Sequence, residues 1–229
     1  MRAPLIGILS GAQPHASGRF LDQITSACVR IYGARHAADF PRLLVCAEPA
    51  LGNADPSGEP AAPAAIEGLR ALDAAKVDFI ALACDSFQAD QHRLKTEVRV
   101  PILDTVSMAI AQMAGPSRRV ALVATRATIE SGVFQRALAA AGHCCVESAM
   151  QDIVDALLAA ARDPSQEERC LALWQQVFHA GEVAGADTTL LASFELCASA
   201  RRHGLADRVV DSEACLASAT VQRWLLAYS

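Results

Sequence analysis

A chain of 229 residues can bury one large core or two domains of roughly a hundred residues each. A formal charge of -5 with no basic stripe argues against a nucleic-acid footprint, and no stretch approaches the roughly 20 apolar residues that span a bilayer. Eight cysteines lie without the regular spacing of a disulfide-stapled domain, and the apolar part of the N-terminus is too short for a signal peptide, so the expected compartment is the cytoplasm.

Strand-like and helix-like periods alternate along the chain. Residues 5–9 read as a strand and 17–32 as a helix. A strand follows at 43–46, then a loop rich in Pro, Gly, Ala and Asp at 53–63 and a helix near 64–75. The apolar run 77–83 is a strand closed by Cys84. A helix near 88–97, an extended Pro101-Ile102-Leu103 and a helix from about 104 come next. The order then begins again with a strand at 120–124, one helix over 129–141 and a short strand at 144–146. A long helical stretch covers 152–184, with Asp163-Pro164-Ser165 predicting a break and a new cap. The strand at 188–192, a helix near 195–203, Val209-Val210 and a last helix to 226 complete the series. Alternating βα elements imply an α/β fold with mainly parallel sheets and helices on both faces.

A long-period duplication is written into this order. Ser17-Gly18-Arg19-Phe20 answers Ser131-Gly132-Val133-Phe134, Cys84 answers Ser193, and Val100 to Asp104 answers Arg208 to Asp211. Two pseudo-symmetric βα lobes are expected, with an active cleft between them. The first spans 1–114 and is completed by a C-terminal helix within 208–229; the second spans 115–207. Cys84 ends an apolar strand and opens the polar turn Asp85-Ser86, which is where open α/β sheets place their ligands. In the second half Ser193 stands in that place, followed by Phe194 and Glu195.

Four segments in order carry a resemblance: Ile6 to Ser17, Ala83-Cys84-Asp85-Ser86-Phe87-Gln88, Ala124-Thr125-Arg126-Ala127-Thr128-Ile129-Glu130-Ser131-Gly132-Val133-Phe134, and Leu191-Ala192-Ser193-Phe194-Glu195-Leu196. Together they resemble the aspartate/glutamate racemase superfamily, cofactor-independent isomerases whose paired cysteines exchange a proton beside a carboxylate. The resemblance implies that Cys84 is the general base or acid and Ser193 the opposite-face group. Ser86, Thr125 and Thr128 would hold the α-carboxylate, with Gln13, Asp85, Phe194 and Glu195 near the rest of the substrate. Plain helix capping is the competing role for the three hydroxyls. The resemblance also implies no cofactor, and homodimers are common in the family.

Three departures qualify it. A serine hydroxyl is a far weaker acid than a thiol, so Ser193 makes a poor partner for symmetric exchange unless Glu195 or water relays the proton. Asp85 replaces a substrate-contacting amide, and its charge favours a cationic group over an anionic one. Residues 46–55 contain no Arg or Lys for a side-chain carboxylate, so aspartate and glutamate are not the expected substrates. A single-cysteine decarboxylase or lyase and a non-catalytic ligand-binding relic are the alternatives.

The other cysteines read as small apolar core residues. Cys197, four residues beyond Ser193, does not replace the missing thiol. No spacing predicts a metal site, no glycine fingerprint or Walker lysine points to a nucleotide, and the histidines are dispersed.

Overall fold

The computed structural model describes residues 3–11, 14–48, 62–84, 91–147 and 149–228. The chain divides into two units, Met1–Met108 with Glu213–Ser229 and Ala109–Ser212. Each is built on a four-stranded parallel sheet.

In the first unit the strands are β1 (Leu5–Ser10), β2 (Arg42–Ala47), β3 (Phe79–Ala83) and β4 (Ile102–Asp104), in the order β2-β1-β3-β4. All three pairings are parallel, and Ser10 lies in register with Ala83. The helices are α1 (Pro14–Tyr32), α2 (Ala62–Ala74), α3 (Gln91–Leu94), α4 (Thr105–Gln112) and α10 (Ser212–Tyr228), with α4 and α10 crossing the unit boundaries. All five residues of β3 are buried. Since successive strand residues face opposite ways, both faces of β3 are covered, as a parallel strand between helices requires. The last helix docks on the first: Tyr32 and Trp224 rings lie 6.0 Å apart, and Arg30 donates to Ser218 Oγ at 2.7 Å.

In the second unit β5 (Arg119–Val123), β6 (Cys144–Cys145), β7 (Thr188–Leu191) and β8 (Val210–Asp211) repeat the same pattern as β6-β5-β7-β8, again parallel throughout. Here α5 (Arg126–Ser131), α6 (Val133–Ala140), α7 (Gln151–Ala161), α8 (Glu167–Val183) and α9 (Phe194–Arg202) carry the chain between strands. Ala121, Val123 and Leu191 join residues of α7, α8 and α9 in one core centred on Trp174. The Trp174 indole N–H donates to Ser199 Oγ at 3.1 Å, so this buried polar group is satisfied.

Two expectations need correction. The single helix over 129–141 is two helices, because Gly132 adopts φ 66° and ends α5 before α6 begins. Glycine enters the left-handed region without a Cβ penalty, and that turn interrupts the helical ladder. The helix near 88–97 ends at Leu94, where Thr96 N–H bonds Arg93 O and Glu97 N–H bonds Leu94 O in tight turns; its start at 85–90 lies outside the described residues. The break near 163 is present: Asp163 accepts from Ser165 N–H at 2.9 Å, and α8 starts at Glu167. The loop expected at 53–63 lies mostly outside the described residues.

Candidate functional site

Cys84 immediately follows β3 and is 9% exposed. Gly11 follows the neighbouring strand β1, whose last residue is paired with Ala83. A methyl group built on Gly11 would collide with Cys84 Sγ, so the thiol rests directly over the Gly11 α-carbon. Any larger residue at position 11 displaces the sulfur. Beside this glycine, Ser10 Oγ and Ser17 Oγ share a buried hydrogen bond of 2.5 Å that ties the end of β1 to α1. Below the thiol, Leu82 O accepts from Thr105 Oγ1 at 3.3 Å, fixing the end of β3 to the start of α4. Asp104, 3% exposed, takes Lys95 Nζ at 2.7 Å and caps α4 through Ser107 N–H at 2.7 Å. Polar contacts thus hold the ends of β1, β3 and β4 next to Cys84.

Gly11, Ser10 and Thr105 were not singled out from sequence. The usable signal was topological: consecutive parallel strands tend to be neighbours, so the residue after β1 belongs beside the residue after β3. Asp85, Ser86 and Gln13, all expected near the substrate, lie outside the described residues.

In the second unit Ser193 follows β7 as the N-cap residue of α9, with extended φ/ψ of -143° and 127°. It is 1% exposed, and its hydroxyl makes no capping bond. Phe194, 4% exposed, packs inward in the first turn. Glu195 is gripped by Arg162 of the α7 end, with Nε at 3.2 and 3.0 Å from its two oxygens and an outer guanidinium nitrogen at 2.7 Å. That fork-shaped contact aims the carboxylate at Arg162. Cys197 is fully buried, its Sγ 3.9 Å from Leu191 O, as expected of a core thiol.

Thr125 and Thr128 form the turn after β5. Thr125 caps α5 by accepting from Thr128 N–H at 3.3 Å, and the two hydroxyls lie 3.0 Å apart. Ser131 Oγ closes the turn by donating to Thr128 O at 2.7 Å. Capping is therefore a role that the Thr125 hydroxyl fills, with the Thr128 hydroxyl bonded to it.

Counterparts recur at the fourth strand of each sheet. Asp104 ends β4 and pairs with Lys95 of the preceding segment; Asp211 ends β8 and pairs with Arg201 of α9. None of the eight cysteines forms a disulfide. Among the described residues there is no group of three or more His, Cys, Asp or Glu side chains able to hold a metal, and no helix long and apolar enough to cross a membrane.

Two βα units with the same strand order, each on a parallel four-stranded sheet, define the architecture. Residues 22–220 match the Asp/Glu/Hydantoin racemase family, and the chain belongs to it. It is similar to the broad specificity amino-acid racemase RacX of Bacillus subtilis (strain 168), at 29% identity over 96% of this chain and 98% of that one. The fold is like that of Picrophilus torridus aspartate racemase, with a TM-score of 0.77 and 21% identity over 96% of this chain and 94% of that one. An aspartate racemase homologue from Pyrococcus horikoshii OT3 gives a TM-score of 0.74 and 17% identity over 98% and 100% of the two chains. At those identities the two structures speak for the fold.

Proposed function

We propose that this chain is a cofactor-independent amino-acid racemase acting on neutral or cationic amino acids rather than on aspartate or glutamate. The observation that carries the reading is the seating of Cys84 over Gly11, at the end of a buried central strand, in a chain of the racemase family. Cys84 is the group that takes or gives the α-proton. A free amino acid loses that proton only when the thiolate and the developing carbanion are both stabilised, which is work for oriented N–H groups around the carboxylate. We assign the carboxylate to Ser86, Thr125 and Thr128, and the remainder of the substrate to Gln13, Asp85, Phe194 and Glu195. Ser193 is the counterpart of Cys84 and serves the second face less effectively, because its hydroxyl is a weaker acid than a thiol. The substrate range is supported by the lack of a basic residue over 46–55 and by the resemblance to a broad-specificity relative. A cytoplasmic homodimer completes the reading and is checked by sedimentation of the purified protein.

The test is incubation in D2O with a panel of L-amino acids and small malonates, following α-deuterium and chirality. Deuterium incorporation with inversion, abolished in Cys84→Ser, is the expected result. Exchange without inversion, or CO2 release, would instead mark a single-cysteine lyase or decarboxylase. Saturable binding without any exchange would mark a ligand-binding relic. A strong preference for L-aspartate would overturn the substrate assignment.

A further inference from the structure

The end of β1 is held in two directions by different bonds. Ser10 lies in register with Ala47 of β2 and Ala83 of β3, and its carbonyl accepts from Glu48 N–H at 3.1 Å. Such bonds run in the plane of the sheet and fix the strand end sideways. They resist motion perpendicular to the sheet only weakly. That direction is the one that matters to the thiol, because a Cβ on Gly11 would meet both Sγ and Cβ of Cys84.

Successive strand side chains face opposite ways. Leu9 faces α2, against Gly68, and Cys84 shares that core with Leu9, Ala65 and Leu69. Ser10 faces the other side, where its Oγ lies 2.5 Å from Ser17 Oγ of α1. Both residues are buried, Ser10 completely. Among the described residues neither hydroxyl has another partner. Two hydroxyls joined by one bond leave one O–H proton without an acceptor. The pair therefore gains little stability over two apolar side chains of similar shape. Its physical effect is to fix how far the strand end stands from α1, on the face opposite the sulfur.

We propose that Ser17 is a positioning residue for Cys84. Through Ser10 it holds the end of β1 against α1 and so sets the depth of the Gly11 α-carbon on which the sulfur rests. The effect on turnover rests on Cys84 being the group that takes or gives the α-proton; the effect on the thiol itself does not.

The Ser10→Ala/Ser17→Ala double variant removes both hydroxyls and orphans neither. It should melt within a few degrees of the native protein. Its kcat for α-deuterium exchange should fall about tenfold, with KM changed less than about twofold, on whichever amino acid of the panel exchanges fastest. Iodoacetamide alkylation of Cys84, mapped by peptide mass spectrometry from about pH 6 to 9, should be faster at every pH, because a sulfur released from its seat is easier to reach. Ser17→Thr, which keeps the hydroxyl, should retain native values in both assays. Native exchange and native alkylation in the folded double variant would overturn the proposal, and so would an equal loss in Ser17→Thr. Faster alkylation in a chain that exchanges no amino acid would support the placement of Ser17 and count against the racemase reading instead. Should the double variant fail to fold, Ser17→Ala alone is read in the same two assays.

Discussion

A thiol is useful in α-proton chemistry only when its sulfur is held against the carbon it serves, since small misplacements cost large factors in rate. Gly11 provides that hold for Cys84. We predict that Gly11→Ala removes most α-deuterium exchange while costing about 1–3 kcal/mol of stability, the range for overpacking a filled site. Exchange assays paired with urea melts distinguish this from unfolding: a variant that is folded and fully active shows that the glycine has no positioning role. Ser193→Cys restores a thiol in a position 1% exposed, so it is expected to raise the rate of inversion relative to one-face exchange. Chiral chromatography of the products measures that ratio, and an unchanged ratio refutes the role given to Ser193. The position of both residues just beyond a strand was legible in the sequence because each closes an apolar run. What was not legible was how they are supported. Glycine 11 carries no side chain to announce a contact, and the Arg162 grip on Glu195 joins residues 33 positions apart.

At the scale of single elements, strands were easier to read than helix breaks. The apolar runs at 5–9, 77–83 and 120–124 have no competing period, and each is a strand in the structure. The stretch 129–141 keeps its apolar spacing across Gly132, so periodicity alone joins what the backbone separates. Asp163-Pro164 announced its break because capping and missing-donor chemistry are local. The break at Gly132 is a stability determinant: alanine there must adopt φ 66°, and its methyl group would crowd the Arg136 guanidinium at 2.7 Å. Gly132→Ala is expected to destabilise the protein by about 1 kcal/mol, with asparagine, which tolerates that conformation better, costing less. Thermal melts of the two variants decide it; equal melting temperatures would show the turn relaxes freely.

For the whole molecule, the repeated strand order was visible as matched segments about half a chain apart, whereas the fine pattern of ion pairs was not. Several carboxylates are held below the ordinary range. Hydrogen bonds from Arg35 and His36 N–H lower Asp39, and the Gln166 side chain followed by Ser165 lowers Asp163. Arg119 N–H followed by Thr188 Oγ1 lowers Asp187. For Asp155, burial opposes ionisation but Gln151 and Arg126 outweigh it. Folded-state values below the unfolded ones mean that the unfolded chain binds more protons as the pH falls. The stabilisation is therefore complete above the ordinary carboxylate value, roughly 4, and is lost below it. Urea midpoints should be flat from about pH 7 to 5 and fall toward pH 3. A midpoint that rises on acidification contradicts this sign.

Because β3 lies inside its sheet with all five residues buried and partners on both sides, its amide hydrogens are expected to exchange slowly with solvent. The Cys84 sulfur therefore follows directly on a stretch of backbone that is expected to open late.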